Sequence, residues 1–177
     1  VLAVAPTVGV TASVALAGTV FGAGLLGLIN LVPWQNQGWH TDGYNLRELW
    51  RDTPAWSMSC AQACVVAMAM AGVRPRDWPA DQLTVPDGVP TQTAAAMHVL
   101  RMGHALDRDD QAAADVAARA LADAYPGAAD GSRQGIAATL ASYAARTRDA
   151  DLLAAWRPLC EGGLLDLGPY RLWLDAE

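Results

Sequence analysis

The stretch VGVTASVALAGTVFGAGLLGLINLV, residues 8–32, carries no charged side chain over its 25 residues. A helix needs roughly 20 apolar residues to cross a hydrocarbon core, and a soluble core helix rarely stays uncharged for so long. Outward from this stretch, no Asp, Glu, Lys or Arg occurs between Val1 and Thr41, whereas all 12 basic and all 18 acidic residues lie beyond it. Two solvents are implied. Residues 1–33 read as a transmembrane helix, 34–52 as an interfacial loop with a short helix, and 53–177 as a cytoplasmic α-helical domain. A secretory signal peptide would place basic residues ahead of a shorter apolar region, and none stands there.

Gly18 and Gly22 lie one turn apart in the span, with Gly24 and Gly27 beyond. Small residues let helix backbones approach closely in a membrane, so other transmembrane helices of the same protein are the expected neighbours. Trp34, Trp39, Tyr44 and Trp50 cluster after the span, where amphipathic rings favour the headgroup level. Arg47, Arg51, Arg74 and Arg76 come next, and the positive-inside rule then places the C-terminus in the cytoplasm and the protein in the cell membrane. Every basic residue is Arg, which together with the abundant Ala points to a GC-rich, bacterial genome. The net charge of -6 argues against nucleic acid as a partner, because phosphate-backbone binding needs clustered cations to release counterions.

Gly22-Ala-Gly24-Leu-Leu-Gly27 matches a GxGxxG dinucleotide fingerprint, and Asp42 lies at a distance suited to a ribose-binding acid. The context is wrong for that fold: Pro33 cuts short any helix opening there, and the β-branched runs of further parallel strands are missing.

Asn30-Leu-Val-Pro33 closes the apolar run, and eight residues later comes Asp42-Gly43. An amide near the end of a hydrophobic helix is costly unless hydrogen-bonded; Asn30 can satisfy backbone groups freed by Pro33 or hold a re-entrant loop. Asp42 is the first carboxylate in the chain. These residues resemble the site-2 protease family of intramembrane zinc metallopeptidases, in which an Asn-x-x-Pro stretch at a helix end leads to an Asp-Gly pair. The resemblance covers residues 17–49. It implies that Asp42 is a zinc ligand, that Asn30 and Pro33 shape a substrate-binding loop, and that Gly43 is the turn from which the next helix starts. The family's His-Glu-x-x-His helix, with two zinc-binding His on one face and a Glu that activates water, does not occur in this sequence. His40 lies in the loop, and His98 and His104 have no Glu between them, so structural roles are expected for the three.

Beyond the loop, helices are expected over residues 44–51, 55–72, 91–106, 111–125, 134–146 and 152–159, with a proline-rich connector at 74–90. The helix at 55–72 is apolar around much of its circumference and reads as largely buried. Cys60 and Cys64 share one face of it; no third ligand stands nearby, so they and Cys160 read as small core residues, with metal or redox chemistry the lesser reading. The turns at 106–110 and 147–151 mark two helical hairpins that resemble tetratricopeptide units. Ala112, Ala113, Ala117 and Ala120 are expected to pack closely against Ala137, Ala138, Ala141 and Ala145. Residues 164–174 are expected to cap the last hairpin. Stacked hairpins of this kind commonly offer a groove to a cytoplasmic peptide or protein.

The sequence therefore reads as all-α: one transmembrane helix followed by a cytoplasmic helical domain with tetratricopeptide-like hairpins. The expected function is that of the C-terminal part of a site-2-protease-like zinc metallopeptidase, inactive alone because the His-Glu-x-x-His helix lies upstream or has been lost. The alternative is a non-catalytic, membrane-anchored helical interaction module.

Overall fold

The computed structural model describes residues 5–36 and 39–161. The expected cap at 164–174 lies outside the described residues. The chain forms two compact units, Val1–Arg51 and Asp52–Glu177. The architecture is helical throughout the described residues, apart from one ribbon with two residues in each strand.

In the first unit, α1 spans Ala5–Asn30, 26 residues, or about 39 Å of helix at 1.5 Å per residue. Its segment Ala12–Asn30 is long and apolar enough to cross a membrane. Val14, Leu16, Val20, Phe21, Leu26 and Leu28 are all exposed on the chain. They spread around the whole circumference, as in a helix whose surroundings are apolar on every side. The glycines of the GxGxxG pattern lie inside this helix, so the strand–turn–helix context of a dinucleotide site does not form. After Pro33 the chain makes an antiparallel ribbon, β1 (Gln35–Asn36) and β2 (Trp39–His40), pairing Gln35 with His40 and Asn36 with Trp39. The next helix, α2, spans Asp42–Arg51 and so starts two residues before the expected Tyr44.

The second unit opens with α3 (Pro54–Met70). Thr53 caps it, its hydroxyl accepting from the Trp56 amide at 3.2 Å, and Pro54 loses no hydrogen bond at the first helical position. The expectation that α3 is largely buried does not hold. Only Met58 and Val65 are buried; Cys60 and Cys64 are exposed, and Met70 is 85% exposed. The uncharged sequence exceeds the apolar surface available to cover it, since Trp78, Leu83 and Met97 reach only one side of the helix. Cys160 is buried, as expected.

The connector makes two 3-10 turns, Pro75–Asp77 and Ala80–Leu83, where one was expected. It is tied to the end of α4 (Thr91–Asp107). Arg74 meets the Asp107 carboxylate at 2.7 Å, the Arg76 amide donates to the same carboxylate at 3.1 Å, and His104 Nδ1 lies 2.6 Å from the Pro75 carbonyl. His98 is buried, and burial, reinforced by the charge of Arg101, pushes its pKa down.

α5 spans Gln111–Ala124 and α6 spans Asp130–Thr147; the latter begins four residues before the expected Gln134. Asp130 sits in its first turn, where a carboxylate opposes the positive end of the helix dipole, and pairs with Arg133 at 3.1 Å. α7 (Ala150–Trp156) runs into a 3-10 turn, Arg157–Cys160. The expected alanine interface is redistributed. α5 buries Ala114, Ala117, Ala118 and Leu121, while Ala112 and Ala113 face outward. Ala137, Ala141 and Ala145 pack with Cys160, Leu153 and Trp156. The face of α5 is chosen by its antiparallel partner α4, which contributes Met102 and Ala105 to their common core. Leu121 and Leu140 are fully buried there, each contributing about 1.5–3 kcal/mol by removal from water.

Candidate functional site

The residues between α1 and α2 form a closed set of contacts within the first unit. α1 ends with the Leu31 amide donating to the carbonyls of Gly27 and Leu28, both at 3.2 Å, and the Val32 amide donating to Ile29 at 3.1 Å. Pro33 cannot donate and stops this pattern. The ribbon then folds the eight residues from Trp34 to Thr41 back on themselves, with the Thr41 amide donating to the Trp34 carbonyl at 3.1 Å.

Thr41 is the knot. Its hydroxyl donates toward the Val32 carbonyl at 2.6 Å, and it accepts from the Trp34 amide at 3.0 Å and the Tyr44 amide at 3.3 Å. One donor and two lone pairs are all a hydroxyl has, so this side chain is fully used. The bond to Tyr44 makes Thr41 the cap of α2, a role favoured for Thr directly before a helix.

Asn30 and Asp42 meet across this knot. The Asn30 side-chain N–H donates to Asp42 Oδ2, while the Asn30 side-chain oxygen accepts from the Asp42 amide at 3.3 Å. The amide thus covers a backbone donor at the start of α2 and holds the carboxylate in one orientation. Asp42 is exposed, and it lies in the first turn of α2, where the helix dipole favours its negative charge.

Gly43 has a different role from the expected turn. It lies within α2 and is buried. A Cβ built on it would stand 1.8 Å from the Leu31 carbonyl oxygen and 2.9 Å from the Val32 carbonyl carbon. Only a residue without a side chain lets α2 approach the end of α1 so closely. Beside the set, the His40 ring lies 4.5 Å from the Tyr44 ring, with the Arg47 guanidinium 5.5 Å above Tyr44.

Asn30 is therefore brought to the Asp42-Gly43 pair, which begins 12 residues later, and the ribbon that follows Pro33 closes the gap. Thr41 is the residue that sequence reasoning missed; a hydroxyl immediately before the Asp-Gly pair was the available signal. Comparison with protein-family models, curated proteins and solved structures finds no match.

Chemically, the arrangement presents one oriented carboxylate. Among the described residues no group of three or more His, Cys, Asp or Glu side chains could hold a metal ion. These residues alone therefore do not make a zinc site. The exposed Asp42 carboxylate is held through one oxygen by Asn30, the kind of outer-shell contact that orients metal-ligating carboxylates.

Proposed function

We propose that this chain supplies the aspartate ligand of a membrane zinc metallopeptidase of the site-2 protease kind. One observation carries the reading: Asn30, the last residue of an apolar helix of membrane-spanning length, orients Asp42 through its side-chain amide. An isolated surface Asp needs no such support, whereas a metal ligand gains from a preset direction. Gly43 contributes by allowing the close approach, and Asn30 with Pro33 shapes the loop beside it. Catalytic zinc takes three protein ligands and keeps one open position, so the remaining ligands would come from residues outside the described set.

In this reading α1 crosses the membrane among other helices of the same protein. Arg47, Arg51, Arg74 and Arg76 then favour a cytoplasmic location for the helical domain C-terminal to α1. The hairpins α4–α5 and α6–α7, tetratricopeptide-like in their repeated turn, would serve a cytoplasmic peptide or protein partner. Those hairpins also favour a second reading, a non-catalytic membrane-anchored interaction module.

The test is to express the chain together with the coding sequence upstream of Val1 and to measure zinc in purified membranes. Stoichiometric zinc is expected in the wild type and its loss in Asp42→Ala. Asn30→Ala should weaken binding about 10- to 100-fold, the usual effect of removing an outer-shell partner. No bound zinc and no upstream His-Glu-x-x-His would reject the peptidase and leave the interaction module.

A further inference from the structure

The second unit holds a cavity of about 740 Å³ between the 3-10 turn Ala80–Leu83, α4 and α5. We propose that it binds a small amphipathic carboxylate: one carboxyl group on an apolar body, as in a short acyl chain or the C-terminal residue of a peptide. This inference is independent of the zinc reading.

The cavity joins two unlike walls. Leu83, Val85, Ala105 and Val116 supply an apolar surface. Val116 is 53% exposed, a large aliphatic side chain left beside the opening rather than taken into the core. The other wall carries two guanidiniums, Arg101 on α4 and Arg108 at the cap just past its C-terminal end, with the His104 ring between them along the chain. The two arginines are separated by about 10 Å along the helix axis, so an anion between them can be reached from both ends.

Neither Arg101 nor Arg108 has a carboxylate partner among the described residues, whereas Arg74 of the same unit is committed to Asp107. His104 Nδ1 donates to the Pro75 carbonyl, so Nε2 of the neutral ring is an acceptor and the ligand carboxylate is left to the two arginines. One carboxylate, Asp110, also lines the cavity. It is engaged as the cap of α5, accepting from the Ala113 amide at 3.0 Å. The 3-10 turn and α5 contribute Ala80, Leu83, Ala113 and Val116, none of them charged.

In a chain of net charge -6, this wall offers two guanidiniums against one occupied carboxylate. Guanidinium matches a carboxylate with two parallel N–H donors. The volume lies within the range of small-molecule pockets, in which an apolar lining and a few convergent polar groups set orientation.

The experiment is calorimetric titration of the full chain in lipid nanodiscs, with empty nanodiscs as blank. The probes are sodium octanoate, acetyl-alanyl-leucine with a free carboxylate, the amide of each, and inorganic phosphate. One-to-one saturable binding of at least one acid is expected, about tenfold tighter than its amide. Arg101→Gln and Arg108→Gln should each weaken it about tenfold, the usual scale for a charge-assisted hydrogen bond. Octanoate binding alone assigns the site to free acyl carboxylates, and peptide binding alone assigns it to peptide C-termini. No saturable binding, equal binding of the amides, phosphate binding as tight as either acid, or unchanged affinity in both arginine variants overturns the proposal. Should an arginine variant lose its helical circular dichroism, Val116→Glu decides: this half-exposed position tolerates the change, and a repelling charge in the apolar wall should abolish binding of the acids.

Discussion

Among the described residues, the connection from α1 to α2 is built differently from two turns of the second unit. The turns from α4 to α5 and from α6 to α7 are local. In each, one residue takes the left-handed conformation, Asp109 at φ 58° and Arg148 at φ 57°. The next residue's amide then returns to the preceding helix, Asp110 to Ala105 and Asp149 to Ala144, both at 2.9 Å. That same aspartate caps the following helix, Asp110 from the Ala113 amide at 3.0 Å and Asp149 from the Leu152 amide at 2.9 Å. A Schellman end and an N-cap share one residue. The connection from α1 to α2 instead relies on side chains distant in sequence, Asn30 with Asp42 and Thr41 with Val32, and on a missing side chain at Gly43. The local turns are satisfied by backbone bonds and by one capping side chain within the turn itself. The α1–α2 connection also uses polar side chains distant in sequence, and these fix the direction of one exposed carboxylate, the feature on which the proposed function rests.

The comparison breaks most sharply at Gly43. Gly43→Ala places a methyl group against the Leu31 carbonyl, and overpacking of this kind costs on the order of 3 kcal/mol. Amide exchange at Asp42 and Tyr44 should then accelerate by about 100-fold, while exchange in α4–α7 stays unchanged. Unaltered exchange at Asp42 would show that α2 does not need this approach.

A smaller effect is expected at the local turns. Asp110→Ala and Asp149→Ala each remove a cap, costing about 1 kcal/mol, or a fall in Tm of roughly 4 °C for a domain of this size. Thermal unfolding followed by circular dichroism measures both, and similar losses are expected because the two turns share one design. A large difference between them would break the equivalence.

The smallest effect lies outside the neutral range. Tyr143 on α6 is 4% exposed, and its hydroxyl donates to Asp115 and accepts from Gln111, both on α5. Burial and the Asp115 carboxylate push its pKa up to about 12, above the ordinary value near 10. The folded state therefore keeps a proton that the unfolded chain releases. Its stabilising contribution is complete below pH ~10 and is lost as pH rises toward the folded value. Absorbance at 295 nm should show a tyrosine ionising at about pH 12, about two units above the ordinary value, and Tyr143→Phe should remove that late step.

Much of the local structure was legible. An uncharged run of this length predicts the long helix, a Pro at the first helical turn predicts the start of α3, and the turn at 106–110 predicts the break between α4 and α5. The start of α6 was not: the sequence reads as helical only from Gln134, four residues late. Nor was burial. Cys60, Cys64 and Met70 look like core residues, yet whether an apolar side chain is covered depends on how much surface its neighbours bring, and sequence period alone does not measure that. The alanines of α5 and α6 illustrate the same point: their spacing predicts close packing of one set on the other, whereas the α6 alanines Ala137, Ala141 and Ala145 pack on the Leu153–Cys160 side.

For the candidate site, Asn30, Pro33, Asp42 and Gly43 were singled out by residue type and spacing. Amides, prolines and Asp-Gly pairs are costly or special near an apolar helix end wherever the chain goes. Their meeting was decided in three dimensions. The eight residues before Asp42 set no distance by themselves; the ribbon pairing Gln35 with His40 does, by folding that length away. Gly43 likewise looked like a turn, and only the Leu31 carbonyl beside it shows why no side chain fits. Helix length, caps and charge partition depend on neighbours along the chain, so the sequence determines them. The Asn30–Asp42 pair, the contact at Gly43 and the cavity beside Arg101 and Arg108 depend on groups brought together across space, which only the tertiary structure could decide.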